Sequence, residues 1–273
     1  MAGRCRRSAN RPPVVPSRTC CPPSRRTSRA RGPSDFLTAC RRRLHDGQQW
    51  RAHLRDLERL LVGETDHVLD LGCGVGGPGL RVVERTGARL TGISISEEQV
   101  KTANRLAEEA GRADRAVFRR ADAMELPFED GSFDAVMALE SIIHMPDREQ
   151  VLTEVARVLR PGGRLVLTDV FERAPRKTPR HPSIDKFCRN FMVTLADADG
   201  YVAMLHRAGL RLRGLLDITE HTMQRTFEEL ARPVEGADRP EALGQTNLPD
   251  LFHPSDMLGV DEFGCLLVAA VRP

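Results

Sequence analysis

The chain has 273 residues, of which 40% are hydrophobic, and this is enough to bury the core of one α/β domain with an added lid. It contains no apolar run of roughly 18 or more residues, which excludes a membrane-spanning helix. No apolar stretch near the start has the form of a secretory signal. We therefore expect a cytoplasmic protein with no membrane partner.

Charge divides the chain unevenly. Residues 1–43 contain 12 Arg and 6 Pro against one acidic residue, Asp35, whereas residues 44–273 carry a net charge of −8. This composition predicts a disordered leader, and it is also what a misplaced start or a wrong reading frame in GC-rich DNA would encode. Nucleic-acid binding through the leader is the non-enzymatic alternative, because arginine neutralises phosphates. We favour no nucleic-acid partner, since the leader has one aromatic residue and no binding motif.

The cysteines do not predict a metal site. Four of the seven lie in the leader, without the paired spacing that metal ligands need. Cys73, Cys188 and Cys265 are far apart in sequence. We expect them to be thiols in a reducing compartment, and we expect no bound metal.

From residue 49 onward, strand-like and helix-like segments alternate. We predict helices at 49–62, 79–86, 97–111, 147–160, 183–195 and 199–208. We predict strands at 67–71, 89–94, 117–121, 133–139, 164–170, 210–218 and 263–271. The pattern indicates an α/β fold, with a doubly wound, mostly parallel, seven-stranded Rossmann-like sheet and a helical lid. The predicted domain is 44–273, with lid segments at about 172–208 and 219–258.

A glycine-rich turn follows the first predicted strand, in the sequence VLDLGCGVGG at 68–77. Missing side chains there let backbone N–H groups approach a ligand. Gly74, Gly76 and Gly79 also fit the dinucleotide pattern, so an NAD-dependent oxidoreductase is one alternative. That pattern expects an acid after the second strand, where this chain has Ser94, and this weakens the alternative. The acid here is Asp70, two residues before the first glycine.

Four further segments follow in a fixed order along the chain. They are TGISIS from 91, ADAMELPF from 121, SFDAV from 132 and VLRPGG from 158. With the glycine turn, they closely resemble class I S-adenosylmethionine-dependent methyltransferases. Within that class they are similar to the bacterial natural-product enzymes that include the rebeccamycin sugar 4′-O-methyltransferase. The resemblance is strong over residues 66–174 and weak over the last strand.

The resemblance implies S-adenosyl-L-methionine as cofactor and a small molecule as methyl acceptor. It assigns Asp70 to the amino end of the methionine moiety, and Ser94 with Gln99 to the ribose hydroxyls. Gln99 has a second reading, because Ser96 and Gln99 also have the spacing of a helix capping box. The full set of cofactor residues implied is Asp70, Gly72, Gly74, Gly76, Ser94, Gln99, Asp122, Ala123, Leu126 and Ser141. Among these, Asp122 would accept from the adenine amino group, while Ala123 and Leu126 would line the ring.

The segment LESIIHMPD at 139–147 supplies the candidate base, His144, just past the fourth strand. A neutral alcohol must lose a proton on methylation, and an imidazole suits that step. Asp169 ends the neighbouring strand and could orient His144 or contact the acceptor. The similar enzymes have two consecutive His at this turn, whereas here the first position is Ile143. The low aromatic content, 4%, disfavours a cationic acceptor, so we expect a sugar, macrolide or quinone-like hydroxyl. N- or C-methylation of a small metabolite is the alternative.

Overall fold

The computed structural model describes residues 62–173, 177–231 and 253–273. The leader, nearly all of the helix predicted at 49–62, and residues 232–252 of the second lid segment lie outside these ranges. Among the residues described, no helix has the length and apolar character to cross a bilayer.

One seven-stranded sheet organises the described part of the chain. Its strands are β1 (His67–Leu71), β2 (Arg89–Ser94), β3 (Ala116–Arg120), β4 (Phe133–Leu139), β5 (Leu159–Glu172), β6 (Arg211–Asp217) and β7 (Phe263–Val271). Their order across the sheet is β3-β2-β1-β4-β5-β7-β6. Strands β1 to β5 pair in parallel, whereas β7 is antiparallel to both β5 and β6. The predicted mostly parallel, doubly wound sheet is confirmed.

Helices cover both faces of this sheet. They are α1 (Gly77–Thr86), α2 (Glu97–Glu109), α3 (Arg148–Val158), α4 (Pro182–Phe191), α5 (Ala198–Arg207) and α6 (Met223–Ala231). Short 3-10 turns at Ile142–His144, Thr219–His221 and Pro254–Met257 complete the described elements. Side chains alternate along a strand, so Leu165 and Leu167 of β5 pack on the face with α3 and α5, and Val166 and Val170 pack on the other.

Local signals explain where the helices begin and end. The Asp147 carboxylate caps α3 by accepting from the Gln150 N–H at 3.0 Å. Helix α1 ends at Gly87, a left-handed residue whose N–H bonds to the Val83 carbonyl. Helix α4 ends at Phe191, four residues before the predicted end, because the next residue takes a left-handed conformation.

Candidate active site

The glycine turn joins β1 to α1 at the carboxyl edge of the sheet, where the strand order reverses. Gly72 and Gly74 have φ values of 75° and 55°, a region that L side chains rarely adopt. A Cβ at Gly72 would lie 2.5 Å from the Ser141 Cβ, so packing requires glycine there. A Cβ at Gly74 would meet nothing within 4 Å. The turn is thus packed at Gly72 and open at Gly74, which leaves room for a ligand.

Asp70 lies in β1 directly beneath this turn. Its carboxylate is buried, and Oδ2 has no hydrogen-bond partner. Burial raises the pKa of Asp70 to about 7. A Cβ at Gly79, in the first turn of α1, would lie 2.7 Å from this Oδ2, so packing requires glycine at position 79. A buried acceptor without a partner is costly, and a cationic ligand group would supply the partner. The site therefore fits the amino group of S-adenosylmethionine.

Ser94 and Gln99 meet at the carboxyl end of β2. The Ser94 hydroxyl donates to Gln99 Oε1 at 2.7 Å and accepts from the Ser96 N–H at 3.1 Å. Ser96 Oγ accepts from the Gln99 N–H at 3.4 Å, as a capping box requires. The second hydrogen bond expected of a capping box, from the Ser96 N–H to the Gln99 side chain, is wrong. The Ser96 N–H donates to the Ser94 hydroxyl instead. Its physical reason is that the Ser94 side chain is nearer, two residues back in the same turn.

The loop after β3 lies beside Ser94, because the Ala121 N–H donates to the Ser94 carbonyl at 3.1 Å. Asp122 is exposed, and its Oδ1 accepts from the Met124 N–H at 2.9 Å. Ala123 and Leu126 are buried in the core on the α3 side of the sheet. The structure thus places Asp122 at the same edge as Ser94, with two apolar residues inside the loop.

The short helix at Ile142–His144 packs against the glycine turn. The Ser141 hydroxyl donates to the Leu71 carbonyl at 2.6 Å, at the end of β1. The Met145 Cε lies 3.7 Å from the position of a Cβ at Gly72. His144 stands between these two contacts in the chain, and it is exposed. The short helix that bears this exposed His therefore packs against the glycine turn through the residues on either side of it.

Asp169 has a different environment from the one expected of it. Its Oδ2 accepts from Arg148 Nε at 3.2 Å and from the Tyr201 hydroxyl, and its Oδ1 accepts from the Val170 N–H at 2.9 Å. These hydrogen bonds join Asp169 to α3 and α5 and not to His144. Alternation along β5 is the reason, because Asp169 shares a face with Leu167. Burial raises the pKa of Asp169 to about 7, although the Arg148 guanidinium acts in the opposite direction.

Three partners in this region were not predicted. Arg148 donates from Nη1 to the Thr194 hydroxyl at 3.0 Å and from Nη2 to the Thr194 carbonyl at 2.6 Å. Arg148 and Tyr201 are both buried, although one is charged and the other polar. No local pattern marks them, because the pairing joins residues tens of positions apart. The one available signal was that Tyr201 is the only tyrosine in the chain.

Metal ligands are not gathered in this region. Over the three described ranges, no group of three or more His, Cys, Asp or Glu side chains is arranged to hold a metal ion.

Comparison with known proteins identifies the family to which the chain belongs. A family model described as a methyltransferase domain matches residues 69–167. The methyltransferase GfsG of Streptomyces halstedii is 38% identical over 224 residues, which span 79% of this chain and 77% of that protein. The 27-O-demethylrifamycin SV methyltransferase of Amycolatopsis mediterranei is 43% identical over 180 residues, 65% of each chain.

A solved structure agrees with these sequence matches. Geranyl diphosphate methyltransferase, in complex with S-adenosylmethionine, superposes with a TM-score of 0.70 and 25% identity. The superposition covers 89% of this chain and 92% of that one. The similarity therefore extends well beyond the residues that the family model matches.

Proposed function

The chain belongs to the class I S-adenosylmethionine-dependent methyltransferases, and from that premise we propose that it methylates a hydroxyl of a small secondary metabolite. The acceptor would be a macrolide, a sugar or a quinone-like compound. The names of the bacterial relatives support this class, because one is named for 27-O-demethylrifamycin SV. The enzyme of the solved structure is instead named for geranyl diphosphate, so the shared fold does not by itself select the acceptor atom.

The observation that carries the proposal is the position of His144. The helix that bears it rests on Gly72 through Ser141 and Met145, and the imidazole is exposed. A base placed there would take the proton of an acceptor hydroxyl beside the expected cofactor site. Because proton removal makes a neutral alcohol nucleophilic, this placement supports an oxygen acceptor.

The remaining site residues would bind and orient the cofactor. S-adenosylmethionine supplies, when bound, a methyl group on a positively charged sulfur. We assign its amino group to Asp70, whose Oδ2 lacks a partner, and its methionine end to the turn of Gly72, Gly74 and Gly76. The Ser94 and Gln99 pair would face the ribose, and the loop of Asp122, Ala123 and Leu126 would face the adenine. Holding the two reactants in line supplies much of the rate of such a transfer.

Asp169 receives a positioning role in this proposal. Its bonds to Arg148 hold the start of α3, four residues after His144, against the segment that carries Thr194. Asp169 would therefore fix the helix that follows the base and the lid segment opposite it, and would not itself contact the acceptor.

The test is a transfer assay with an acceptor panel. The full chain is incubated with methyl-labelled S-adenosylmethionine and O-demethylated macrocycles, namely macrolides and 27-O-demethylrifamycin SV, with flavonols, sugars and amines as comparison acceptors. We expect label in a methyl ether, located by mass fragmentation and NMR. Label on nitrogen or carbon in the best acceptor would overturn the hydroxyl assignment and favour the N- or C-methylation alternative.

A further inference from the structure

Two residues other than glycine have positive φ in the described part of the chain. Glu140, at 48°, directly follows β4, and Met192, at 52°, directly follows α4. Such conformations are uncommon for L side chains and persist only where the surrounding structure imposes them. Strain of this kind is concentrated at binding and catalytic sites. Met192 differs from Glu140 in that it follows a helix of the lid segment and not a strand of the sheet.

Met192 is also the most exposed large hydrophobic residue among those described, at 90%. The chain turns back immediately after it, since the Val193 N–H donates to the Cys188 carbonyl at 3.0 Å and Val193 is buried. A helix that ends in this way normally has glycine or asparagine at the left-handed position. Methionine there puts a side chain that is 90% exposed on a strained backbone.

The segment after Met192 lies across the carboxyl edge of the sheet. Thr194 is held by two hydrogen bonds from Arg148, and the Ala196 carbonyl accepts from the Glu172 N–H at 3.0 Å, at the end of β5. Arg148 begins α3, directly after the turn that carries His144. Met192 is therefore presented by a segment that is tied both to the end of β5 and to the helix after the candidate base. Ligands of doubly wound sheets bind at this edge.

We propose that Met192 determines acceptor specificity by contacting an apolar part of the methyl acceptor. This inference rests on the proposed function and narrows it, because an apolar contact selects a hydrophobic macrocycle over a free sugar or a short polar alcohol. The thioether side chain is unbranched and polarisable, so it adapts to an irregular apolar surface. Covering it with the acceptor would also remove from water the most exposed large hydrophobic side chain of the described residues.

The experiment separates the side chain of Met192 from its backbone conformation. Met192→Gly and Met192→Asn both suit a left-handed residue but remove the apolar contact, whereas Met192→Leu keeps an apolar side chain. For the hydroxylated macrolide that the wild type methylates best, we expect Gly and Asn to raise KM at least about tenfold. We expect kcat to stay within about twofold, because the contact is equal in ground and transition states. Leu should restore KM to within about threefold of wild type.

Stability and cofactor binding give the second readout. Met192→Gly should leave Tm unchanged or raise it by up to about 4 °C, because the left-handed strain is relieved. S-adenosylhomocysteine affinity should not change in any of the three variants. Val117→Thr is the matched control, since Val117 is 51% exposed on the outermost strand β3, and it should change neither KM nor Tm.

The outcomes that overturn the inference are distinct from failure of the proposed function. If Gly and Asn leave KM at the wild-type value, or if Leu raises KM as much as they do, Met192 does not contact the acceptor. Calorimetric binding of the same macrolide in the presence of S-adenosylhomocysteine is measured in parallel. If the wild type binds the macrolide but transfers no methyl to oxygen, the proposed function fails, and the Kd values of the variants still decide the role of Met192.

Discussion

Two buried carboxylates, Asp70 and Asp169, lie in regions of the molecule that satisfy a buried acid in different ways. Burial raises the pKa of both Asp70 and Asp169 to about 7, yet Oδ2 of Asp70 has no partner while Asp169 is bonded by Arg148 and Tyr201. The first lies in the region of β1 to β4, where a ligand would complete the site. The second lies in the region of β5 to β7, where the chain satisfies it internally. The raised pKa of Asp70 and of Asp169 therefore reports only that each carboxylate is buried. The two carboxylates differ in their hydrogen-bond partners, which Oδ2 of Asp70 lacks and Asp169 has.

The two regions also differ in how far apart their contacting residues are. In the first, consecutive strand ends supply the site, as when Ser94 bonds to Gln99 five residues later. In the second, Arg148 bonds to Thr194, and Asp169 to Tyr201, across the start of the lid. The region of Asp70 is thus specified by local sequence, and the region of Asp169 by packing. Each of the following tests changes one region and measures whether the other responds.

The largest effect is expected where the two regions meet, at His144. His144→Ala should lower kcat for the best hydroxyl acceptor by about 10²- to 10⁴-fold, because the transfer loses its general base. S-adenosylhomocysteine affinity should remain within about twofold, since Ser141 and Gly72 are unchanged. Single-turnover kinetics and calorimetry measure the two quantities. A rate loss below about fivefold would mean that positioning alone drives the transfer.

The next effect concerns the open position of the turn. Gly74→Val should lower S-adenosylhomocysteine affinity by at least about 100-fold, because a side chain fills the space that backbone approach requires. The added Cβ meets nothing within 4 Å in the free protein, so the protein should still fold, with a loss of about 1–2 kcal/mol from the left-handed backbone. Calorimetry measures the affinity, and thermal unfolding measures the loss of stability. A variant that binds as wild type would remove the turn from the cofactor site.

Ionisation of the Asp70 carboxylate should lower the stability of the fold and raise the affinity for the cofactor. In the fold the pKa of Asp70, about 7, lies above its ordinary value of 3.8, so the folded state holds the proton more tightly. This contribution to stability is fully present below about pH 4 and is lost as pH rises through 7. Asp70→Asn cannot ionise, and its Tm should therefore fall less than that of wild type between pH 5.5 and 8.

Binding should respond in the opposite sense. Asp70→Asn should weaken S-adenosylhomocysteine binding by about 10- to 100-fold at pH 8, because the cationic amino group loses a charged partner. In wild type the affinity should also decline from pH 8 to pH 6, as the carboxylate becomes protonated. Calorimetric titrations at several pH values give both results. An affinity that is independent of pH and of the substitution would place the amino group elsewhere.

The smallest effect is expected in the satisfied cluster. Tyr201→Phe removes one hydrogen bond to Asp169 and should lower the free energy of unfolding by about 1–2 kcal/mol, measured by urea denaturation. S-adenosylhomocysteine affinity should stay within about twofold, because the cluster joins β5 to α3 and α5 and, within the described ranges, makes no hydrogen bond to the glycine turn. Leu205→Val, in the same helix α5 and likewise buried, offers a control for packing loss without a polar contact. A large loss of cofactor affinity in Tyr201→Phe would show that the two regions are coupled.

The sequence predicted the strands of the parallel half of the sheet well because their signals are local, and the assignment of cofactor residues there stays a prediction. Strand alternation places β1 to β4, and Gly72 and Gly74 occur where the turn needs positive φ. The prediction for the end of α4 was too long because Met192, and not a glycine, takes the left-handed position. The partners of Asp169 could not be predicted, since they depend on which face of β5 meets α3 and α5. The role of His144 stays a prediction.

The position of β7 has a consequence for how the chain is made. β7 lies between β5 and β6 and pairs with both, and β6 bonds to the rest of the described sheet only through it. During translation, β6 therefore leaves the ribosome before its only neighbour exists. Until residues 263–271 follow, the apolar edge of β5 is open, and an open strand edge pairs readily with other chains. We therefore expect the tendency to aggregate to be greatest in the interval before β7 is synthesised.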